Sequence, residues 1–152
     1  MATWDSQPFS TQPLRAGYRR ADVELQGVDQ AVPSYEGRLF LNRAEADRET
    51  ALAAEEGYLG SFHVFGKVFC WGEDERHCEQ PDEREFDRRR YPNRYAKARV
   101  RTIDGLLREL VSKSGDQATL HIVAVLPERE DYAQYKAEDV LRFERLSIVT
   151  YA

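Results

Sequence analysis

The sequence predicts an all-β protein: an antiparallel β-sandwich of about six to seven strands with one short helix near residues 103–113. Short runs in which apolar and polar residues alternate recur along the 152-residue chain, the pattern of strands buried on one face. Turn-forming segments separate these runs, and only one stretch spaces its apolar residues as a helix does.

Residues 1–17 are rich in Ser, Thr, Gln and Pro without periodicity and read as a flexible or docked arm, leaving 18–152 as one sandwich domain. The first strand is expected over Tyr18–Leu25, where Ala21, Val23 and Leu25 alternate with Asp22 and Glu24. A turn-rich break, Gly27–Ser34, follows. Gly37–Asn42 is the second strand, with Leu39 and Leu41 set against Arg38 and Phe40. Arg43–Glu56 is polar and Ala-rich, a long loop or a short helix.

Leu59–Gly66 is the third strand. Side chains alternate along a strand, so Phe62 and Val64 face one way and His63 and Phe65 the other. Apolar residues on both faces predict a central strand. The charged stretch at about 72–92 is a long loop with little to bury.

Tyr95–Arg101 alternates Ala96, Ala98 and Val100 with basic residues. Thr102 is the expected helix N-cap, with Asp104 in the first turn, where a carboxylate suits the helix dipole. Leu106, Leu107, Leu110 and Val111 form the apolar stripe, and Gly115 is the expected stop. Thr119–Leu126 is apolar on both faces and ends at Pro127. A charged loop, Glu128–Val140, leads to the last strand, Leu141–Tyr151, whose core candidates are Leu141, Phe143, Leu146, Ile148 and Val149, with a bulge near Arg145.

Hydrophobic residues make up 41% and charged residues 32% of the chain, and the net charge is −5, which describes a folded, mildly acidic protein. An acidic balance argues against general nucleic-acid binding, and the Arg88–Arg90 run reads as part of a solvated, mixed-charge loop. No run of about eighteen apolar residues predicts a membrane span, and no leader pattern opens the chain, so the cytoplasm is the expected location.

The chain holds three histidines and two cysteines. Three imidazoles are too few for a dinuclear, oxygen-activating copper centre, which argues against a self-sufficient enzyme of that type. His121 lies in the most apolar strand and reads as a satisfied core or sheet-edge residue. His63, Cys70, His77 and Cys78 together offer two nitrogens and two sulfurs, a set suited to zinc or cuprous copper. Seven residues separate the cysteines, unlike the two to four of a zinc finger. Two other readings stand beside the metal site: a Cys70–Cys78 disulfide closing a small loop, or plain thiols with His77 solvated. With no Gly-rich phosphate loop and no G-x-S-x-G elbow, phosphoryl and acyl transfer lack their usual signatures.

The strand Gly37–Asn42, the polar stretch after it and then Tyr58-Leu59-Gly60-Ser61-Phe62 resemble the C-terminal domain of plant-type polyphenol oxidases. Ile103–Leu110 is similar to that family's short helix. Gln117–Pro127, with its Val-Ala-Val-Leu-Pro ending, resembles its valine-rich strand, and Arg142–Val149 its closing strand. Similar β-sandwich domains close molluscan haemocyanins and some tyrosinases. The resemblance covers roughly residues 36–150 as short motifs.

The resemblance implies a non-catalytic domain that packs over the entrance of a type 3 copper site. For this chain it implies a cover, maturation partner or subunit acting in trans, with Tyr91, Tyr132 or Tyr135 as the aromatic that probes the partner. Three departures stand out. No copper domain accompanies the motifs in this sequence, Lys67 stands nearest the position of the family's histidine after Gly-Ser-Phe, and the cysteine-bearing stretch is an insertion. Two alternatives remain: a copper- or zinc-binding module, and a small enzyme or ligand-binding protein of a biosynthetic pathway with its pocket at the open end of the sandwich.

Overall fold

The computed structural model describes residues 2–15, 17–30, 32–66, 94–101, 105–128, 135 and 140–152. Their strands are β1 (Ala2–Asp5), β2 (Phe9–Ser10), β3 (Arg20–Asp29), β4 (Tyr35–Leu41), β5 (Tyr58–Val64), β6 (Arg94–Arg101), β7 (Gln117–Ala118), β8 (Leu120–Val125) and β9 (Arg145–Tyr151). The helix α1 spans Leu106–Lys113. Every strand pair is antiparallel. One sheet runs β1-β8-β4-β5, a second runs β6-β3-β9, and β2 pairs with β7. The fold is all-β with one short helix, as alternation predicts.

The two larger sheets share one core. Leu39, Ile122 and Phe62 enter it from the first sheet and Val23, Leu25 and Val100 from the second, while Leu107 and Val111 of α1 pack against it. The expected core stripe of α1 is in place, with Leu110 partly buried beside it. Glu109 and Lys113, one turn apart on its exposed side, form an ion pair at 2.6 Å. Gly105, at φ +79°, occupies the N-cap position. The expected cap Thr102 and the carboxylate Asp104 lie outside the described residues. The helix stops one residue before Gly115, because Ser114 turns extended while its N–H donates to the carbonyls of Leu110 and Val111.

Two expectations are corrected. β3 does not end at Leu25; it continues through the expected break to Asp29. Gly27 makes this possible by taking φ +63°, a conformation open to glycine, at a point where a side chain would meet that of Glu144. Opposite it β9 begins at Arg145, the Cα partner of Gln26, and the Glu144 N–H donates to the Gln26 carbonyl at 2.9 Å. The β3–β9 register carries no shift from Arg20–Tyr151 to Gln26–Arg145, so the bulge expected near Arg145 is not seen in the pairing of these residues.

The second correction concerns β5, which among the described strands lies at the edge of its sheet and not at its centre. Alternation assigned its faces correctly, since Phe62 and Val64 are buried and His63 and Phe65 are exposed. It could not assign neighbours, which come from long-range pairing. The Arg43–Glu56 stretch is a loop with a single 3-10 turn at Ala54–Glu56, and it buries Ala46 against Phe40 and Val123 on the outer face of the first sheet.

The outer face of β3 is also enclosed. Asp22 and Glu24, on the opposite side from Val23, are 0% and 3% exposed. Arg20 Nε donates to Asp22 at 2.8 Å. The register places Arg101 and Arg99 as their Cα partners on β6. A buried carboxylate needs a cationic or hydrogen-bonding partner, and Arg20 supplies one to Asp22.

Candidate functional site

Residues 2–15, with 17 and 18, form a docked arm. Its first strand adds to β8, from Ala2 opposite Ala124 to Asp5 opposite His121. Ser6 continues the contact, donating its N–H to the Leu120 carbonyl and accepting the Leu120 N–H on Oγ, both at 2.9 Å. Phe9 and Ser10 then pair with Ala118 and Gln117. The Thr11 hydroxyl donates to the Gly115 carbonyl at 2.8 Å, and the Tyr18 hydroxyl to the Leu14 carbonyl at 2.8 Å. Arg108 lies over the Tyr18 ring at 4.8 Å, closing the far end of the arm against α1.

Between this arm and β9 lies an open cleft of about 530 Å³. Trp4 and Phe143 meet in it edge to face, with ring centroids 4.9 Å apart. Leu14, Leu120, Leu146 and Ile148 extend the apolar lining, while Ser6, Gln7, Ser10 and Ser147 add neutral polar groups and Arg145 and Glu144 charged ones. The size lies within the range of ligand pockets, and an aromatic lining with a few polar groups is their usual chemistry. Among the described residues that line the cleft, none is a histidine, cysteine or lysine.

A smaller hollow, about 390 Å³, lies at the end of β5 and is lined by Tyr35, His63, Phe65, Val125, Leu126 and Pro127. Phe65 is 71% exposed, the most exposed large apolar side chain among the described residues. Burial, and behind it the carboxylate of Asp29, raise the Tyr35 hydroxyl well above the ordinary tyrosine range, so it remains neutral.

Of the expected metal set, the structure places only His63, on the exposed face of β5. Cys70, His77 and Cys78 lie outside the described residues, as do the alternative disulfide and the 72–92 stretch. No cluster of three or more metal-ligating side chains occurs among the described residues. Tyr91 and Tyr132 also lie outside them, and Tyr135 is partly buried against the core.

His121 is buried and satisfied, as its place in an apolar strand suggested. Its Nδ1 lies 2.6 Å from Asp5 Oδ1 and its Nε2 2.9 Å from the Thr119 hydroxyl. The contact fastens β1 to β8 from the outer face. His121→Ala leaves Asp5 and Thr119 without this partner and should cost about 1–3 kcal/mol. The loss should concentrate on β1, and native-state hydrogen exchange at Thr3–Ser6 is expected to speed up more than exchange in β4.

Sequence reasoning missed the cleft residues. A signal was present: Trp4 and Phe9 are large aromatics in an otherwise polar arm, and such residues find apolar partners. Phe65 was assigned to the His63 face but not singled out. No protein-family model matches this chain, and neither a curated protein nor a solved structure matches it.

Proposed function

We propose that this chain is a non-catalytic binding protein that engages a partner in trans through the cleft between its arm and β9. The observation that carries this reading is the cleft itself, an aromatic and aliphatic trough whose far wall is hydrogen-bonded in place along its length. The motif resemblance to type 3 copper C-terminal domains makes a tyrosinase-like oxidase the partner class. Among the described residues the probing aromatic is Phe65, exposed just after the Gly-Ser-Phe strand; of the expected tyrosines, Tyr91 and Tyr132 lie outside the described residues and Tyr135 packs on the core.

The test is a titration of the chain into the catalytic domain of a plant polyphenol oxidase freed of its own C-terminal domain, following catechol oxidation. Saturable inhibition is expected, weakened at least tenfold by Gln7→Trp, which fills the cleft, and weakened also by Phe65→Ser in the separate hollow at the end of β5. An oxidase that neither binds the chain nor slows in its presence would remove the copper-oxidase partner.

A further inference from the structure

We propose that the cleft is a strand-addition site: it takes an extended segment of a partner protein, which pairs with the edge of β9 that has no strand partner among the described residues and lays an apolar side chain against Trp4 and Phe143. This rests on the reading of the cleft as the binding site and adds the form of the ligand.

β9 is the outer strand of β6-β3-β9, and its seven residues pair with β3 alone. Its second edge therefore presents the N–H and C=O groups of alternate residues without backbone partners among the described residues. Natural edges are commonly protected by a lysine, a proline, a bulge or shortness. Leu146–Tyr151 contains no proline, glycine or charged residue. The other edges differ: β1 has four residues, β6 carries four basic residues in its sequence, and the pairing of β5 is broken by a register shift opposite Leu39 and Phe40.

The cleft follows this edge. Four consecutive β9 residues line it, Arg145 through Ile148. Neighbouring side chains on a strand point to opposite faces, so a cavity that touches all four runs beside the backbone and not over one face. At roughly 3.3 Å per residue the shared length is about 13 Å, enough for a segment of about four residues.

The arm selects the kind of occupant. It lies across the cleft from β9, fixed by the β1–β8 pairing and the Thr11–Gly115 bond. A folded second copy would have to drive an edge strand and its attached sheet into this gap, whereas an isolated extended segment enters it alone. In strand addition, main-chain hydrogen bonds supply affinity and a side-chain pocket supplies specificity. The aromatic pair and the neutral serines select a neutral segment rich in β-branched and aromatic residues.

The probe is an acetylated, amidated heptapeptide of alternating threonine and valine with a central phenylalanine. Two twins carry N-methyl groups on the odd or on the even residues. A paired strand turns alternate N–H groups toward its neighbour, so one twin should lose affinity about tenfold or more while the other stays within about threefold of the parent. The parent should slow hydrogen exchange at Leu146–Ile148, and Gln7→Trp, which fills the cleft from an exposed position, should abolish binding. Two twins that bind as the parent does, with Gln7→Trp still blocking all three, would overturn strand addition and leave the cleft as the binding site. Failure of the parent to bind while anilinonaphthalene sulfonate still enters the cleft would have the same meaning, and failure of both would remove the site. Protection of β9 that rises with protein concentration in the absence of peptide would overturn the proposal in favour of a second copy.

Discussion

Gly37→Ala should destabilise the protein by about 3 kcal/mol although it adds one methyl group. Gly37 on β4 lies directly opposite Phe62 on β5, and the Phe62 ring covers it. A Cβ at Gly37 would fall within that ring. Phe62 is buried and packs edge-on against Tyr35, with centroids 6.0 Å apart, so the ring cannot swing aside without opening the core. The measurement is the urea midpoint of Gly37→Ala, Phe62→Ala and the double variant. Once the ring is removed, the methyl group at Gly37 should cost less than about 1 kcal/mol, a coupling expected of residues in contact. Additive costs would show that the ring does not depend on the glycine.

Phe40→Ala should cost about 3–5 kcal/mol, as much as a substitution in the main core. Phe40 is 0% exposed, yet it points away from the space between the sheets. It packs on Tyr58 at 5.6 Å, on Val123 and on Ala46 of the loop that folds over the outer face. The sheet β1-β8-β4-β5 is therefore covered on both sides at this point, and the loop depends on Phe40 for its anchor. Urea unfolding gives the cost, and limited proteolysis within Arg43–Glu56 should accelerate. A cost below about 1 kcal/mol would mean that the cover is loose.

Strand positions and inward residues were legible in the sequence because period-two alternation is a local signal. Leu39 and Leu41, Phe62 and Val64, and Ala21, Val23 and Leu25 all face the core as their spacing indicated. Pairing was not legible. The arm's aromatics acquire their meaning only when β1 lies beside β8, more than a hundred residues along the chain. The same limit hid the cleft, whose walls come from opposite ends of the sequence. The buried pair Asp22 and Glu24 shows a further limit: alternation marks a polar face but not whether the fold encloses it. For the expected metal site, four ligand residues of two types lie near one another in sequence, and the structure gives a position to His63 alone.

On our proposal, this protein binds through the cleft between the arm and β9. Anilinonaphthalene sulfonate, titrated while the Trp4 indole N–H is followed by nuclear magnetic resonance, tests this most directly. Saturable binding at one site that moves the Trp4 resonance and is lost in Gln7→Trp is the predicted result. Undiminished binding to Gln7→Trp, or a Trp4 resonance that does not respond, would contradict it.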